Sequence, residues 1–251
     1  MQPVVQPVGQ PDPVTFFGQG LQQAWDLLLH NNAALLQVLV VTLKVAGLST
    51  AIAVVVGVPA GVVLGLGRFR GVGVLRVLAN VGLGLPPVVV GVTLALLMFP
   101  AAPLGRFHLI FTLRGVYVAQ TVLAVPIIIA LTSSAVRDVP RSLLDQARAY
   151  GASRRALGAL ATREARVGIL AAVIAAVGSG LSEVGAVVLV GGNIEGVDQT
   201  LASAALERVN AGDFAGGLAI GILLLALILV ITAALTWLQF GNRQEARVKA
   251  S

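Results

Sequence analysis

Five apolar runs divide this chain, and one long polar stretch separates the third from the fourth. The runs cover roughly Ala34–Leu66, Val77–Phe99, Leu113–Ala135, Val167–Val190 and Phe214–Leu238. As a helix, each is long enough to cross a hydrocarbon layer about 30 Å thick. The first has length to spare, so it tilts or protrudes, with Pro59 near its far end. The second contains Pro86-Pro87 within LGLPPVVVG (Leu83–Gly91), and the third contains Pro126. Prolines are tolerated in spans whose neighbours re-satisfy the freed carbonyls, and the local pattern at Leu83–Gly91 predicts a kinked core helix. Ahead of the runs, Met1–Pro13 is rich in Pro and Gln and is expected to be disordered. Phe16–His30 predicts a short amphipathic helix with Phe17, Leu21, Trp25 and Leu28 on one face. Trp25 suits a membrane interface; the plainer alternative is an extension of the first span.

The polar stretch, Arg137–Arg166, is RDVPRSLLDQARAYGASRRALGALATREAR. It predicts two short helices joined at a glycine. Pro140 fits the first turn of the first helix, and Asp138 can cap its free N–H groups. Leu143, Leu144, Ala147 and Tyr150 then form one apolar face. Gly151 is placed to end that helix in a left-handed conformation, and Ser153 to cap the next. An amphipathic helix pair between two spans has a protein surface to bind besides lipid.

Composition agrees with the pattern. The chain is 57% hydrophobic and 11% charged, against about 25% charged residues in soluble domains. Its net charge of +6 does not point to nucleic acid, because the basic residues gather beside the spans. Arg68, Arg70 and Arg76 follow the first run. Arg137, Arg141, Arg148, Arg154, Arg155, Arg163 and Arg166 lie in the polar stretch, and Arg243, Arg247 and Lys249 in the tail. Arg106, Arg114 and Arg208 fall on the other side, and Lys44 lies within the first run. The positive-inside rule then puts the N-terminus outside and the C-terminus inside, which requires an odd number of spans. The expected layout is an extracytoplasmic tail and interfacial helix (1–32), a membrane domain (33–240) with the cytoplasmic loop 137–166, and a cytoplasmic tail (241–251). No cysteine is available for disulfides or thiolate sites, and no cleavable signal peptide is expected.

Several chemistries have no residues to support them. No phosphate-binding G-x-x-x-x-G-K-[ST] loop occurs, since the lysines are Lys44 after Leu43 and Lys249 after Val248. His30 and His108 are far apart in sequence and form no metal constellation. No nucleophile–base set is visible either.

Glu183, within GSGLSEVGAVVLVGGNI, is the carboxylate inside the fourth run. A charge there is costly and marks a functional candidate. Gly178, Ser179, Gly180, Ser182 and Gly185 around it permit close backbone approach. By helical rise, Lys44 and Glu183 lie about 15 Å and 12 Å inward from the same side. They either pair or face water separately. The outer loop Pro100–Thr112 either lies on the membrane or plugs a vestibule. The acidic loop Gly191–Asp213 either meets a soluble partner or is a solvated connector.

DQARAYGAS resembles the "EAA" loop of ABC-importer permeases. Asp145, Gln146 and Ala147 stand where the acidic-Ala-Ala triplet belongs, and Gly151 stands on its glycine. The usual apolar-x-Leu-Pro ending is replaced by Ala161, Thr162, Arg163 and Glu164. With TLKVAGLSTAIAVVVGVPAGVVLG, LPPVVVG, PLG, FTLRGVYVAQTVLAVPII and SEVGAVVLVGGNI in this order, Thr42–Leu238 resembles the permease subunits of tungstate-type ABC importers, relatives of molybdate permeases. The resemblance implies an all-α, five-span permease fold acting as a homodimer in the cell membrane, not an enzyme. It implies two cytoplasmic ATPase subunits, which carry ATP and Mg while this chain carries no cofactor, and an extracytoplasmic oxyanion-binding protein. Leu143, Leu144, Asp145, Gln146, Ala147, Arg148, Tyr150 and Gly151 would make the ATPase contact. An anionic cargo argues that Glu183 is neutralised by a partner and that Thr93, Ser179 and Ser182 offer hydroxyls to the pathway. Molybdate or sulfate is an alternative cargo. An ion-gradient-driven transporter using Glu183 and a non-transporting scaffold are the rival classes.

Overall fold

The computed structural model describes residues 18–22, 24–26 and 33–248, with side chains described as far as Gln239. The expected disorder of Met1–Pro13 lies outside the described residues. The chain is all helical over those residues. Three helices are long and apolar enough to cross a membrane unbroken: α1 (Ala33–Leu66), α4 (Leu113–Arg137) and α10 (Phe214–Val248, its apolar part ending at Gln239). Two bent pairs raise the number to five if each counts as one crossing. The first pair is α2 (Val72–Val81), a 3₁₀ turn at Gly82–Gly84, and α3 (Pro87–Met98). The second is α6 (Arg154–Glu164) and α7 (Arg166–Leu181). Between them lie α5 (Arg141–Ala149), α8 (Gly185–Gly191) and α9 (Leu201–Asn210).

The core is the α1–α4 contact, and glycine makes it possible. Gly57, Gly61 and Gly65 recur every fourth residue on one face of α1 and meet Ile128, Thr132 and Val136 of α4. The two helices therefore run in the same direction in a single register. A methyl group at Gly61 would lie 2.6 Å from Thr132 Cβ and 2.9 Å from the Ile129 carbonyl oxygen. Without a water-driven term between spans, such close backbone approach is what holds membrane helices together. Val45 and Val116 continue the seam toward the opposite end, with Val41 and Val187 beside them.

The second crossing is broken rather than kinked. Pro86 is extended (φ −68°, ψ 116°) and Pro87 opens α3 at its first position. The 3₁₀ turn before them has no room to continue as an α-helix, and α2 and α3 meet at 99°. Pro87 has no N–H to give the preceding turn, and its ring excludes the helical conformation for Pro86. Pro126, in contrast, sits within an unbroken α4, packed against Gly82.

The fourth run also differs from the expected single helix. It splits into α7 and α8 at Ser182–Val184. The loop expected over Gly191–Asp213 contains α9, opened by a reciprocal cap in which Thr200 and Ser203 satisfy each other's backbone N–H groups. Thr42 of α1 holds α9 from the side: its Oγ1 accepts from the Leu201 N–H (2.9 Å) and donates to the Val38 carbonyl (2.7 Å). α9 and the start of α10 form a tight hairpin with Gly217 against Val209. At 18–26, Gly20 and Ala24 are buried, Gly20 against Leu218, while Leu21 and Trp25 stay exposed. α10 continues as helix to Val248, past the boundary expected at 240. The loop Pro100–Thr112 folds back on the bundle. Phe111 N–H donates to the Val190 carbonyl (2.8 Å), and Leu104, Leu109 and Ile110 pack beside Met98 and Val190.

Candidate functional site

The polar stretch forms a helical elbow at the basic end of the bundle. α5 begins after Pro140, which is its N-cap, while Asp138 instead terminates α4 with its backbone N–H on the Ser134 carbonyl. The expected capping role of Asp138 is thus replaced by a role at the preceding helix end. Gly151 takes φ +82°, the left-handed conformation expected of it, and Ser153 Oγ accepts from Ala156 N–H (3.2 Å) to start α6.

The elbow sorts the sequence candidates into two faces. Leu144 is 6% exposed, and with Leu143 it belongs to one apolar cluster with Val62 and Leu66 of α1, Val136 of α4, Val139 just beyond it, and Leu160 and Ala161 of α6. Within the chain these two leucines bind the elbow to its own bundle. A helix this short needs its apolar face for its own attachment. Ala147 is half-buried. Asp145, Gln146, Arg148, Tyr150 and Gly151 are exposed, and Tyr150 is 92% exposed. Asp145 pairs with Arg148 one turn on. The outward surface is therefore a polar helix face ending in an aromatic ring and a left-handed turn.

Glu183 lies in the break between α7 and α8. Its Oε1 accepts the Ala186 N–H (3.0 Å) at the start of α8. Ser182 Oγ donates back to the Gly178 and Ser179 carbonyls (3.1 and 3.2 Å). The carboxylate thus satisfies a backbone donor that the broken span would otherwise leave in hydrocarbon. No ion pair joins Glu183 to Lys44 within the chain. Lys44 is exposed, in a stripe with Val40, Leu43 and Leu48 on the side of α1 away from α4. Depth was matched in the sequence, but direction around the helix was not. Two consequences are measurable. Glu183→Gln, which keeps an acceptor, is expected to retain wild-type thermal stability. Glu183→Ala is expected to lose about 1 kcal/mol, the worth of an N-terminal cap, as a lower melting temperature in detergent.

α3 and α8 converge at this break. Gly185 faces Val88, and a methyl group on Gly91 would lie 2.7 Å from Ala186 Cα. Thr93, Ser179 and Ser182 are exposed. The Thr93 and Ser182 hydroxyls donate to carbonyls of their own helices; for Thr93 the acceptor is Val89 (2.8 Å). Gln120 of α4, which the sequence analysis passed over, is buried at the same level. A Cβ on Gly180 would lie 3.6 Å from its Oε1, and its Nε2 has no partner.

The opposite end carries a second polar structure, built from the acidic loop Gly191–Asp213. Asp198 is 0% exposed. Its Oδ1 accepts the Ile194 N–H (2.7 Å), and Oδ2 lies buried without a partner near Gly191. Burial raises the Asp198 pKa, partly offset by that hydrogen bond. An acid whose pKa is raised by folding costs stability as pH climbs from the unfolded value through the folded one. Asp198→Asn is therefore expected to raise the melting temperature at neutral pH, with the gain shrinking as pH falls toward 3.8. A gain that is constant with pH would rule out the carboxylate as its source. Nearby, Glu207 accepts from Asn193 and Gln199, and Arg208 pairs with Asp213 (3.0 Å). A cavity of about 850 Å³ opens here, lined by Glu195, Glu207, Arg208 and Asp213 among others.

The same arrangement of helices occurs in known proteins. A solved structure of the MetNI methionine ABC transporter in an inward-facing conformation superposes with a TM-score of 0.66, covering 83% of this chain and 95% of that one at 22% identity. A probable anion ABC transporter permease protein of Haloferax volcanii is 37% identical over 81% of this chain and 90% of its own length. The tungstate uptake system permease protein TupB of Campylobacter jejuni is 30% identical over 85% and 87%. The elbow, both broken crossings and the α1–α4 glycine seam all fall within residues 57–244, the part matched by the family model of binding-protein-dependent transport system inner membrane components, and this chain belongs to that family.

Proposed function

We propose that this chain is the membrane-spanning permease of an ATP-driven importer for a small tetrahedral oxyanion, with tungstate the first candidate and molybdate or sulfate the alternatives. The carrying observation is the elbow at the basic end. It is anchored inward by Leu143 and Leu144 and presents Asp145, Gln146, Arg148, Tyr150 and Gly151 outward. Two copies of the chain each offer that face to a cytoplasmic ATPase. When the ATPases close on ATP, the push on α5 passes through Leu143 and Leu144 into the ends of α1, α4 and α6. The helices at the α3–α8 convergence then open and close around the anion. No charged ligand from this chain is required: a site that held an oxyanion tightly would not release it, and Glu183 is engaged with α8. At the other end, the loop beside Asp198 and the cavity lined by Glu195 and Glu207 receive an extracytoplasmic binding protein that sets the choice of anion.

The cargo is supported by the tungstate-uptake and anion-permease relatives, and by buried hydroxyl and amide groups at Gln120, Thr132 and Ser133. The test is reconstitution in liposomes with the cognate ATPase and binding protein. Uptake of tungstate is expected to require ATP, with molybdate and sulfate tested as competitors. Uptake driven by a proton gradient without the ATPase would establish a secondary transporter instead. Absence of any uptake beside a stable complex would favour a scaffold.

A further inference from the structure

Arg76 is half-buried on α2, and its guanidinium gathers the end of α1. Nε donates to the Leu64 carbonyl (2.9 Å). Nη2 donates to the carbonyls of Leu64 (2.6 Å), Gly65 (3.4 Å) and Gly67 (3.1 Å). The last carbonyls of a helix have no partners within it, and they form the negative end of its dipole. A planar fork with several N–H donors fits that cluster where a lysine, with one compact ammonium, does not. Val74, Leu75, Val77, Leu78 and Val81 on α2 are exposed, while Val72 and Ala79 are half-buried. At its other end, α2 leads into Gly82, which is lodged against Pro126 of α4. The helix is thus tied to α1 by Arg76, while it packs along α4 and leads into Gly82.

The α1 end that Arg76 grips is also the end the elbow packs against, through Val62 and Leu66. Beyond the break, α3 lies on α8 at Val88–Gly185 and Gly91–Ala186. An unbroken chain of contacts therefore runs from the elbow through the tip of α1, Arg76 and α2 to the convergence of α3 and α8. Resting on the importer function proposed above, we infer that Arg76 is a positioning residue that transmits displacement of the elbow into the broken second crossing. Without it, the elbow moves α1 but α2 no longer follows.

The test uses full-length permease reconstituted with its ATPase and binding protein, with tungstate as the probe anion. Arg76→Gln is expected to bind the ATPase and hydrolyse ATP at the wild-type rate. Anion moved per ATP falls about tenfold, the order expected when a charge-assisted hydrogen bond is lost. Arg76→Lys is expected to fall between the two. The chain has no cysteine, so spin labels on Val63→Cys and Val77→Cys, both exposed, report the α1–α2 distance directly. That distance is expected to stay fixed with ATP in the wild type, where α2 follows α1, and to shift with ATP when Arg76→Gln is added. Unchanged transport per ATP in Arg76→Gln overturns the inference, as does a proportional loss of hydrolysis and transport. If Arg76→Gln fails to insert, the same ratio in Arg76→Lys decides: a reduced ratio supports the clamp and a wild-type ratio overturns it. A coupled wild type with an unaffected variant removes the clamp and leaves the importer standing. A wild type that shows no ATP-dependent uptake removes both.

Discussion

Gly61→Leu is expected to yield no folded permease, and Gly61→Ala a protein weakened by about 1–3 kcal/mol, the usual cost of overpacking a close contact. The methyl group of alanine alone would lie 2.6 Å from Thr132 Cβ and 2.9 Å from the Ile129 carbonyl oxygen. A flexible neighbour could yield, but a backbone carbonyl inside a helix cannot move without carrying the helix along. The helices would have to separate along the whole seam, because Gly57 and Gly65 share its register with Ile128 and Val136. Separation would expose Thr132 and Ser133, whose buried hydroxyls already lack partners. The measurement is the melting temperature and monodispersity of purified protein in detergent. Gly47, on the same helix but with nothing near its Cβ, is the control. Gly47→Ala should be neutral or slightly stabilising, since alanine is the better helix former. Equal melting temperatures for Gly61→Ala and Gly47→Ala would show that the seam is looser than it stands here.

The second large effect is expected at Gly151. The space around it is open, with no atom near the position a Cβ would take. Bulk is therefore not what Gly151 avoids. Its φ of +82° is the constraint, and an L residue there costs about 1–2 kcal/mol whatever its size. Gly151→Ala and Gly151→Val should both shift the elbow, with valine worse because its branched side chain crowds its own backbone. Asparagine, which tolerates left-handed conformations, should recover most of the wild-type behaviour. The expected result is normal insertion, ATPase affinity reduced roughly tenfold for Gly151→Val, and near-normal affinity for Gly151→Asn. Affinity of detergent-purified permease for the ATPase measures this directly, and ATP-driven uptake follows it. If valine binds the ATPase as well as glycine does, the elbow is not the docking surface. Tyr150→Ala separates the two contributions at this site. It removes an exposed ring without changing the backbone, so any loss it causes belongs to the contact itself.

How much of this was legible beforehand depends on the kind of signal. The unbroken spans α1, α4 and α10 match their apolar runs to within a few residues, because hydrocarbon selects them on hydropathy alone. Ser153 and Gly151 were equally readable, since capping and a positive φ are local demands that few residue types meet. The breaks were harder. Ser182–Val184 carries no proline and reads as helix in isolation. It opens because α8 packs on α3 and because Glu183 can satisfy a freed N–H. The spacing Gly57, Gly61, Gly65 was visible, but its partner helix was not. The leucines of the elbow were correctly placed on one face; what that face covers could not be known from spacing.

By itself the sequence determined a basic-sided, five-run membrane chain with a glycine-jointed polar elbow, since burial in lipid and backbone chirality act residue by residue. Tertiary structure alone decided which surfaces are free. It turned Leu143 and Leu144 inward, sent Lys44 and Glu183 to separate surroundings, buried Asp198, and set Arg76 on the end of α1. Those outcomes depend on rotation about helix axes and on contacts between residues far apart in the chain. A side chain's depth can be counted along a helix, but its direction is settled only when another helix packs against it.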